Sequence, residues 1–329
     1  MRAGKQGMRM TVYGTATLSG PADGRGIGHA VGAAAAGFGR LPPTALMLFS
    51  LVSVQVGAAL ATMLFSALGP VGTVFCIFIS AAVMLTLWSR PKLSDAFADR
   101  RAFTLVLAFG FVLAFMELPF FLAMQYIPLG ITATIAFLGP LAIATIMSRR
   151  LIHFLCIGIA LIGIALLTPL NLGEGALFGN HSALDMRGVG LAGLAAIGWA
   201  CFAPASQKAG KVFGGLKGLT LGMWAAAFMA LPFAVMEGSL FQASASGLAS
   251  AFAVGLLTTV LPLGLEYQAL QRMSARAYGI LLTLEPAIAV MVGALLLGQG
   301  ITLTTSIAVA CVTAAAAGIT LSEMHGGRG

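Results

Sequence analysis

The sequence predicts an all-α membrane protein whose ten transmembrane helices form two inverted repeats of five. Three observations predict this fold class. Hydrophobic residues make up 59% of the 329 residues and charged residues only 9%. Apolar runs long enough to cross a bilayer, about 20 residues each, follow one another along the chain. Finally, a motif in the fourth run recurs in the ninth.

The composition excludes several classes of protein. A soluble domain carries about 25% charged residues, so this chain has too little charge to cover a soluble surface. A disordered chain would need lower hydrophobicity, and the net charge of +8 does not make so apolar a chain a nucleic-acid binder. The four cysteines lie inside apolar runs without ligand spacing, and the four histidines are scattered. We therefore expect no metal site and no cofactor.

The apolar runs define the predicted spans and the domains. Residues 1–44, rich in Gly and Ala, are expected to form a disordered cytoplasmic tail that contains the start site, and 322–329 a second cytoplasmic tail. A first repeat covers 45–170, a periplasmic loop 171–187, and a second repeat 188–321. The ten spans are 45–68, 71–89, 102–125, 128–148, 151–170, 188–207, 218–237, 246–270, 277–298 and 301–321.

The positive-inside rule gives the orientation. With the N-terminus inside, the inner segments hold every one of the 18 basic residues except Arg187. A wrong number of spans would scramble this alternation. Both termini are therefore predicted to be cytoplasmic.

The repeat explains why the halves must be inverted. Residues 123–140 read AMQYIPLGITATIAFLGP and residues 269–286 read ALQRMSARAYGILLTLEP, which aligns Pro140 with Pro286. An odd number of spans per half makes the second half enter the membrane in the opposite sense. Inverted halves are the architecture of many secondary transporters, with the substrate site near the midplane. We interpret Pro140 and Pro286 as kinks that shape this cavity.

Three carboxylates lie in the interior of the predicted spans, Glu117, Glu266 and Glu285, whereas Glu237 is the last residue of the seventh span. A charge at a helix centre costs about 2.5–3.5 kcal/mol on the insertion scale. No lysine or arginine lies inside a span to pair with them. They therefore face water, bind a cationic group or are protonated, and we predict that all three take part in proton coupling.

Glu285 is the strongest candidate. It lies eight residues into the ninth span, which is about 12 Å at 1.5 Å per residue, and it precedes Pro286. A purely structural role, hydrogen bonding to the kinked backbone, is the alternative. For Glu266, near the inner end of its span, the alternative is an interfacial ion pair with Arg272.

Polar and aromatic side chains complete the predicted substrate site, because small-molecule pockets combine aromatic walls with a few polar groups. The predicted substrate-binding residues are Gln55, Glu117, Gln125, Trp199, Tyr267, Thr283 and Glu285. No P-loop, GxSxG or HExxH motif occurs in the sequence, so we expect neither ATP-driven transport nor an enzyme.

Several segments resemble a known family. They are SVQVGAALATMLF (53–65), IPLGITATIAFLGPLAIATIMSRR (127–150), the stretch 199–210 and LPLGLEYQALQRMSARAYGILLTLEPAIAVMVGALLLGQ (261–299). Over roughly 45–321 the chain resembles the threonine/homoserine exporter group of the EamA-like drug/metabolite transporter superfamily. The resemblance implies two inverted five-helix repeats, a bacterial inner-membrane location and export driven by the proton gradient.

The chain departs from the family pattern at four positions. The family usually carries Glu, Arg and Lys where this chain has Ala136, Ile77 and Thr62, and Asn where it has Glu117. The Glu285–Pro286 pair and Glu266 match. Our hypothesis is that Glu117 takes over from the acid missing at Ala136.

The sequence thus predicts a secondary exporter of a small polar metabolite, an amino acid such as threonine or homoserine, that works by proton antiport and alternating access. Its partners are the substrate, protons and the lipid bilayer, and nothing in the sequence indicates an oligomeric state. Efflux of an amphipathic or cationic metabolite or drug is the alternative within transport. A membrane binding protein or sensor that does not transport is the alternative from another class.

Overall fold

In the computed structural model, every secondary-structure element of the described residues is helical. The structure describes residues 41–148, 151–167, 185–214, 216–238, 240, 244–270, 272–273 and 275–325. Most of the predicted N-terminal tail and of the loop 171–187 lies outside these residues. The helices of the first half are α1 (Pro43–Met63), α2 (Phe65–Leu68), α3 (Pro70–Ser89), α4 (Leu93–Ala96), α5 (Arg100–Ala123), α6 (Leu129–Ala136), α7 (Leu138–Ser148) and α8 (Leu151–Leu167).

The second half follows the same order. Its helices are α9 (Met186–Phe213), α10 (Leu216–Glu237), α11 (Ala245–Gly255), α12 (Leu261–Leu270), α13 (Ala275–Leu282), α14 (Glu285–Leu297) and α15 (Leu303–His325). A π-helix, Leu256–Val260, joins α11 to α12. The last helix continues four residues beyond the predicted end of the tenth span at 321.

Eight helical stretches in the described part of the chain are long and apolar enough to cross a membrane. They correspond to eight of the ten predicted spans. The predicted fourth and fifth spans are represented by shorter apolar helices, Leu129–Ile143 and Phe154–Gly163. The predicted fifth span includes residues 168–170, and residues 149–150 lie between the two predicted spans; these five residues lie outside the described part of the chain.

Helix starts follow from local chemistry. Pro43 and Pro70 occupy the first turns of α1 and α3, where a missing N–H leaves no bond unmade. The carboxylate of Asp99 accepts a hydrogen bond from the N–H of Ala102 at 2.6 Å and begins α5. Side-chain caps of this kind satisfy N–H groups that have no partner inside the helix.

Two prolines set the interruptions of the fourth and ninth spans. Proline has no N–H, and its ring clashes with the carbonyl of the residue four positions earlier. The helix α6 ends at Ala136, four residues before Pro140, and α13 ends at Leu282, four residues before Pro286. Both spans are therefore discontinuous at the positions that the repeat aligns.

A third proline accounts for the π-helix. Pro262 cannot donate to the carbonyl of Thr258, which lies within the π-helix. The hydroxyl of Ser53 on α1 donates a hydrogen bond of 2.7 Å to the neighbouring carbonyl of Leu257. The widened turn thus obtains a hydrogen-bond donor from the first span.

Helices of the first half pack mainly against helices of the second. The pairs are α5 with α9, α1 with α12, α3 with α10, α6 with α14 and α8 with α15. In terms of spans, these are the third with the sixth, the first with the eighth, the second with the seventh, the fourth with the ninth and the fifth with the tenth. This pattern is unchanged when spans one to five are exchanged with spans six to ten.

Glycine allows the closest of these contacts. A Cβ on Gly130 in α6 would lie 2.8 Å from the Cα of Val290 in α14, and one on Gly198 in α9 would lie 2.6 Å from the Cα of Met116 in α5. Small residues let membrane helices approach at backbone distance, where van der Waals contact replaces the hydrophobic effect as the driving force. The largest buried cluster, which includes Ala58, Phe109 and Ala289, lies between the two halves.

Candidate functional site at the helix break

Glu285 lies at the break in the ninth span. It is the first residue of α14, and the backbone turns at Thr283 and Leu284 just before it. Thr283 is buried, and its hydroxyl donates a hydrogen bond of 2.7 Å to the carbonyl of Ile280 at the end of α13. The break therefore presents a carboxylate at a helix N-terminus, where the helix dipole favours negative charge.

Gln55 on the first span reaches Glu285. Its Nε2 lies 3.4 Å from Oε1 of Glu285, a long hydrogen bond that joins α1 to α14. Gln55 is 2% exposed. Within the described residues its carbonyl oxygen, Oε1, has no hydrogen-bond partner, although buried polar atoms are nearly always paired.

Glu266 forms a second group nearer the end of the eighth span. Its Oε1 accepts a hydrogen bond of 2.8 Å from the Ser50 hydroxyl, and its Oε2 accepts one of 3.2 Å from the Tyr278 hydroxyl. These bonds connect α12 to α1 and to α13. The partners are both neutral, so the carboxylate is held by hydrogen bonds from two other helices.

The three predicted carboxylates, which we call the carboxylate cluster, lie close enough to interact electrostatically. The charges of both Glu266 and Glu117 act on Glu285. Glu117 is partly buried on α5. Like charges repel strongly where the dielectric constant is low, so a cation or a proton bound among them is favoured.

Trp199 lies on the helix that packs against Glu117's helix. The preceding residue, Gly198, contacts the backbone of Met116, which precedes Glu117. The Trp199 ring meets Phe202 edge-on with centroids 6.2 Å apart. Its indole N–H is buried and has no acceptor among the described residues, so it is available to an acceptor on a ligand.

Among the described side chains, one predicted site residue is not joined to this group. Gln125 is exposed in the turn after α5 and donates to the carbonyl of Leu122 on its own helix. The side chain of Tyr267 lies outside the described residues. The predicted kink residues, Pro140 and Pro286, are both buried next to the breaks.

Sequence reasoning missed Ser50, one of the two donors to Glu266. Ser50 is buried in α1, and it shares a helix face with Ser53 and Gly57, three and seven residues later. That face contacts the eighth span at Pro262, Leu257 and Thr258. Two serines and a glycine at this spacing in an apolar span were the available signal for a close, polar helix contact.

The described residues contain no group of three or more His, Cys, Asp or Glu side chains that could hold a metal ion. The polar groups described above are carboxylates, an amide and an indole N–H, and of these Glu285 and Gln55 are in contact at the break. Such a set can bind a small amine and exchange protons.

Comparison with known proteins identifies the family. The profile of the EamA-like transporter family matches residues 186–321. Threonine/homoserine exporter RhtA of Escherichia coli (strain K12) is 32% identical over 281 residues, which cover 85% of this chain and 92% of that protein. Threonine/homoserine exporter RhtA of Salmonella typhimurium (strain SL1344) matches with the same identity and coverage.

A solved structure shares the fold. A protein known from its crystal structure superposes with a TM-score of 0.52 over 85% of this chain and 99% of its own, at 16% identity. The fold and the relatives agree with the resemblance seen in the sequence. The chain belongs to the threonine/homoserine exporter group of the EamA-like transporter family.

Proposed function

We propose that this protein exports threonine, homoserine or a closely related amino acid across the bacterial inner membrane in exchange for protons. The two relatives carry the name of threonine/homoserine exporters and match over nearly their whole length. The observation that carries the proposal is the contact between Gln55 and Glu285 at the break of the ninth span. A polar group at a discontinuous helix is how many transporters hold a small substrate near the midplane.

Proton coupling follows from competition for one carboxylate. A proton and the ammonium group of a substrate cannot both occupy Glu285. Release of a proton to one side would therefore allow substrate to bind, and arrival of a proton from the other side would displace it. Glu117 and Glu266 act on the same carboxylate, and they extend the path along which a proton can move.

Alternating access would use the two inverted repeats of five helices. Two observations support this architecture: the breaks at Ala136 and Leu282, which the repeat aligns, and the symmetric pairing of spans across the halves. A bundle of this symmetry has two packings of similar energy that open to opposite sides. The charge distribution supports the orientation with both termini in the cytoplasm.

The test is amino-acid efflux from cells that lack their own exporters. Cells are preloaded with dipeptides of threonine or homoserine, and the amino acids that reach the medium are followed with time. We expect the wild type to export at least one of them, and export to fall when a protonophore collapses the gradient. Absence of export with saturable binding would favour a binding protein or sensor.

Efflux of a cationic or amphipathic compound is the second candidate. The specific observation behind it is that the interior of the predicted spans contains three carboxylates and no lysine or arginine. An acid-rich site of this kind suits an organic cation better than a zwitterion. Resistance to a panel of cationic toxic compounds, without any amino-acid export, would favour this candidate.

A further inference from the structure

The general transport mechanism does not explain why the buried amide oxygen of Gln55 has no hydrogen-bond donor among the described residues. Gln55 is almost fully buried, and its Nε2 already donates to Glu285. Its Oε1, on the same side chain, has no donor among the described residues. An acceptor left unpaired in a buried position is unfavourable, so this oxygen is suited to a donor supplied by a ligand.

The neighbouring groups restrict the chemistry of that donor. The oxygen lies on a side chain that touches a carboxylate, and two further carboxylates act on the same group. A neutral hydroxyl would satisfy Oε1 but would leave the negative charge uncompensated. A primary ammonium has three N–H donors and one positive charge, so it can serve both the amide oxygen and the carboxylate.

No lysine or arginine lies inside a predicted span, so the spans as predicted supply no cation for this position. We propose that Oε1 of Gln55 and the carboxylate of Glu285 form the subsite for the ammonium group of the transported amine. This inference rests on the proposed function and deepens it. The indole N–H of Trp199 has no acceptor among the described residues, and a donor of this kind suits a carboxylate or hydroxyl oxygen.

The subsite predicts which part of the ligand is recognised by charge. The ammonium is held by a charge-assisted contact, which is stronger than a neutral hydrogen bond. No lysine or arginine lies inside the predicted spans to pair with the carboxylate end. Replacing that carboxylate by an amide should therefore weaken binding much less than removing the ammonium.

The experiment measures binding to the purified full-length protein in nanodiscs by calorimetry. Threonine, threoninamide and N-acetylthreoninamide are compared, because the last two differ only in the ammonium group. We expect threonine and threoninamide to bind with similar affinity and N-acetylthreoninamide to bind at least roughly tenfold more weakly, the scale of one charge-assisted hydrogen bond.

The matched variants are Gln55→Leu and Thr104→Val. Both remove a polar group at similar volume, but Thr104 is exposed, and its hydroxyl donates to the carbonyl of Arg100 on its own helix. We expect Gln55→Leu to raise the KM for threonine roughly ten- to hundredfold with little change in kcat, and Thr104→Val to leave both unchanged. If Gln55→Leu does not fold, the comparison of the three ligands on the wild type still tests whether the subsite recognises the ammonium group.

The outcomes separate this inference from the proposed function. Binding of threoninamide that depends on Gln55, in a protein that exports no amino acid, would support the subsite and overturn the exporter. Export of threonine combined with equal binding of N-acetylthreoninamide, or with an unchanged KM in Gln55→Leu, would overturn the subsite and leave the exporter. Failure of every amine to bind would also overturn the subsite.

Discussion

Ala136 and Leu282 each end a helix four residues before a proline, at positions that the internal repeat aligns. The same local cause therefore interrupts one span in each half. The two interrupted spans also pack against each other, with Gly130 of α6 against Val290 of α14. The breaks thus lie on facing helices where the two halves meet.

Replacement of the prolines tests whether the breaks serve transport. Pro140→Ala and Pro286→Ala each restore a backbone donor and remove the clash with the preceding turn. We expect both variants to reach the membrane and to export several-fold more slowly than the wild type in the dipeptide-loaded efflux assay. Pro232→Ala is the control, because Pro232 is exposed inside the continuous helix α10. Equal loss in all three variants would contradict a special role of the breaks.

Glu285→Gln tests the coupling residue. The substitution keeps the shape and the ability to contact Gln55, but it removes the charge that a proton or an ammonium would neutralise. We expect export driven by the proton gradient to fall at least roughly tenfold, as for loss of a charge-assisted contact. Efflux is measured at equal membrane abundance, with Thr104→Val as a variant of an exposed polar residue. Gradient-driven export at the wild-type rate would remove Glu285 from the mechanism.

An exchange of acids tests the hypothesis that Glu117 replaces the missing acid of the fourth span. Ala136, where the family usually has Glu, and Met116, the neighbour of Glu117, belong to the same buried cluster. We expect Glu117→Asn to reduce export severalfold and to change its dependence on external pH. The double variant Glu117→Asn with Ala136→Glu should recover a large part of the export rate. A double variant no better than Glu117→Asn alone would contradict the exchange.

Gly130→Ala tests the close approach of the two interrupted spans. The added Cβ would meet the backbone of Val290 at 2.8 Å, and overpacking of this kind destabilises by about 1–3 kcal/mol. Gly158→Ala is the matched control, because a Cβ there has nothing within 4 Å. We expect a lower unfolding temperature in detergent for Gly130→Ala and an unchanged or slightly higher one for Gly158→Ala. The reverse order would show that α6 and α14 can separate freely.

Glu237 has a structural role that can be separated from transport. Its carboxylate, at the end of α10, accepts hydrogen bonds from the N–H groups of Val71 and Gly72, at 3.3 and 2.8 Å, in the first turn of α3. Gly69, just before that turn, has a φ of 65°, where a side chain would be strained. We expect Glu237→Ala to lower the stability by about 0.5–2 kcal/mol in chemical unfolding followed by circular dichroism. The KM for threonine should stay at the wild-type value, and a large rise would place Glu237 in the transport path.

Particular residues show how far the sequence could predict the fold. The predicted span 71–89 and the helix Pro70–Ser89 differ by one residue, because a long apolar run between turn residues defines its own limits. The sequence alone does not predict whether a given proline bends, widens or interrupts its helix. Pro119 lies inside the unbroken α5 and Pro262 produces a π-helix, whereas Pro140 and Pro286 interrupt their helices. Neighbouring helices supply the missing bonds in some places and not in others.

The candidate site was predictable to a similar extent. A carboxylate inside a span is costly enough to mark a functional position, so Glu117, Glu266 and Glu285 stood out without any structure. Gln125 also looked eligible, because it ends an apolar run, but the structure places it in an exposed turn. The contact between Gln55 and Glu285 joins residues 230 positions apart in the sequence. No local sequence pattern predicts a contact between residues so far apart.

The π-helix at Leu256–Val260 also determines the direction in which the side chains of the following helix, α12, point around the helix axis. Successive residues of an α-helix are rotated by about 100° around the helix axis. A π-turn contains one additional residue in the same length of helix. All of α12 is therefore rotated relative to the face it would present after a regular α-helical turn. Glu266 reaches Ser50 and Tyr278 from this rotated face. Deleting a single residue from the π-turn would turn the carboxylate towards a different neighbour while leaving its depth in the membrane nearly the same.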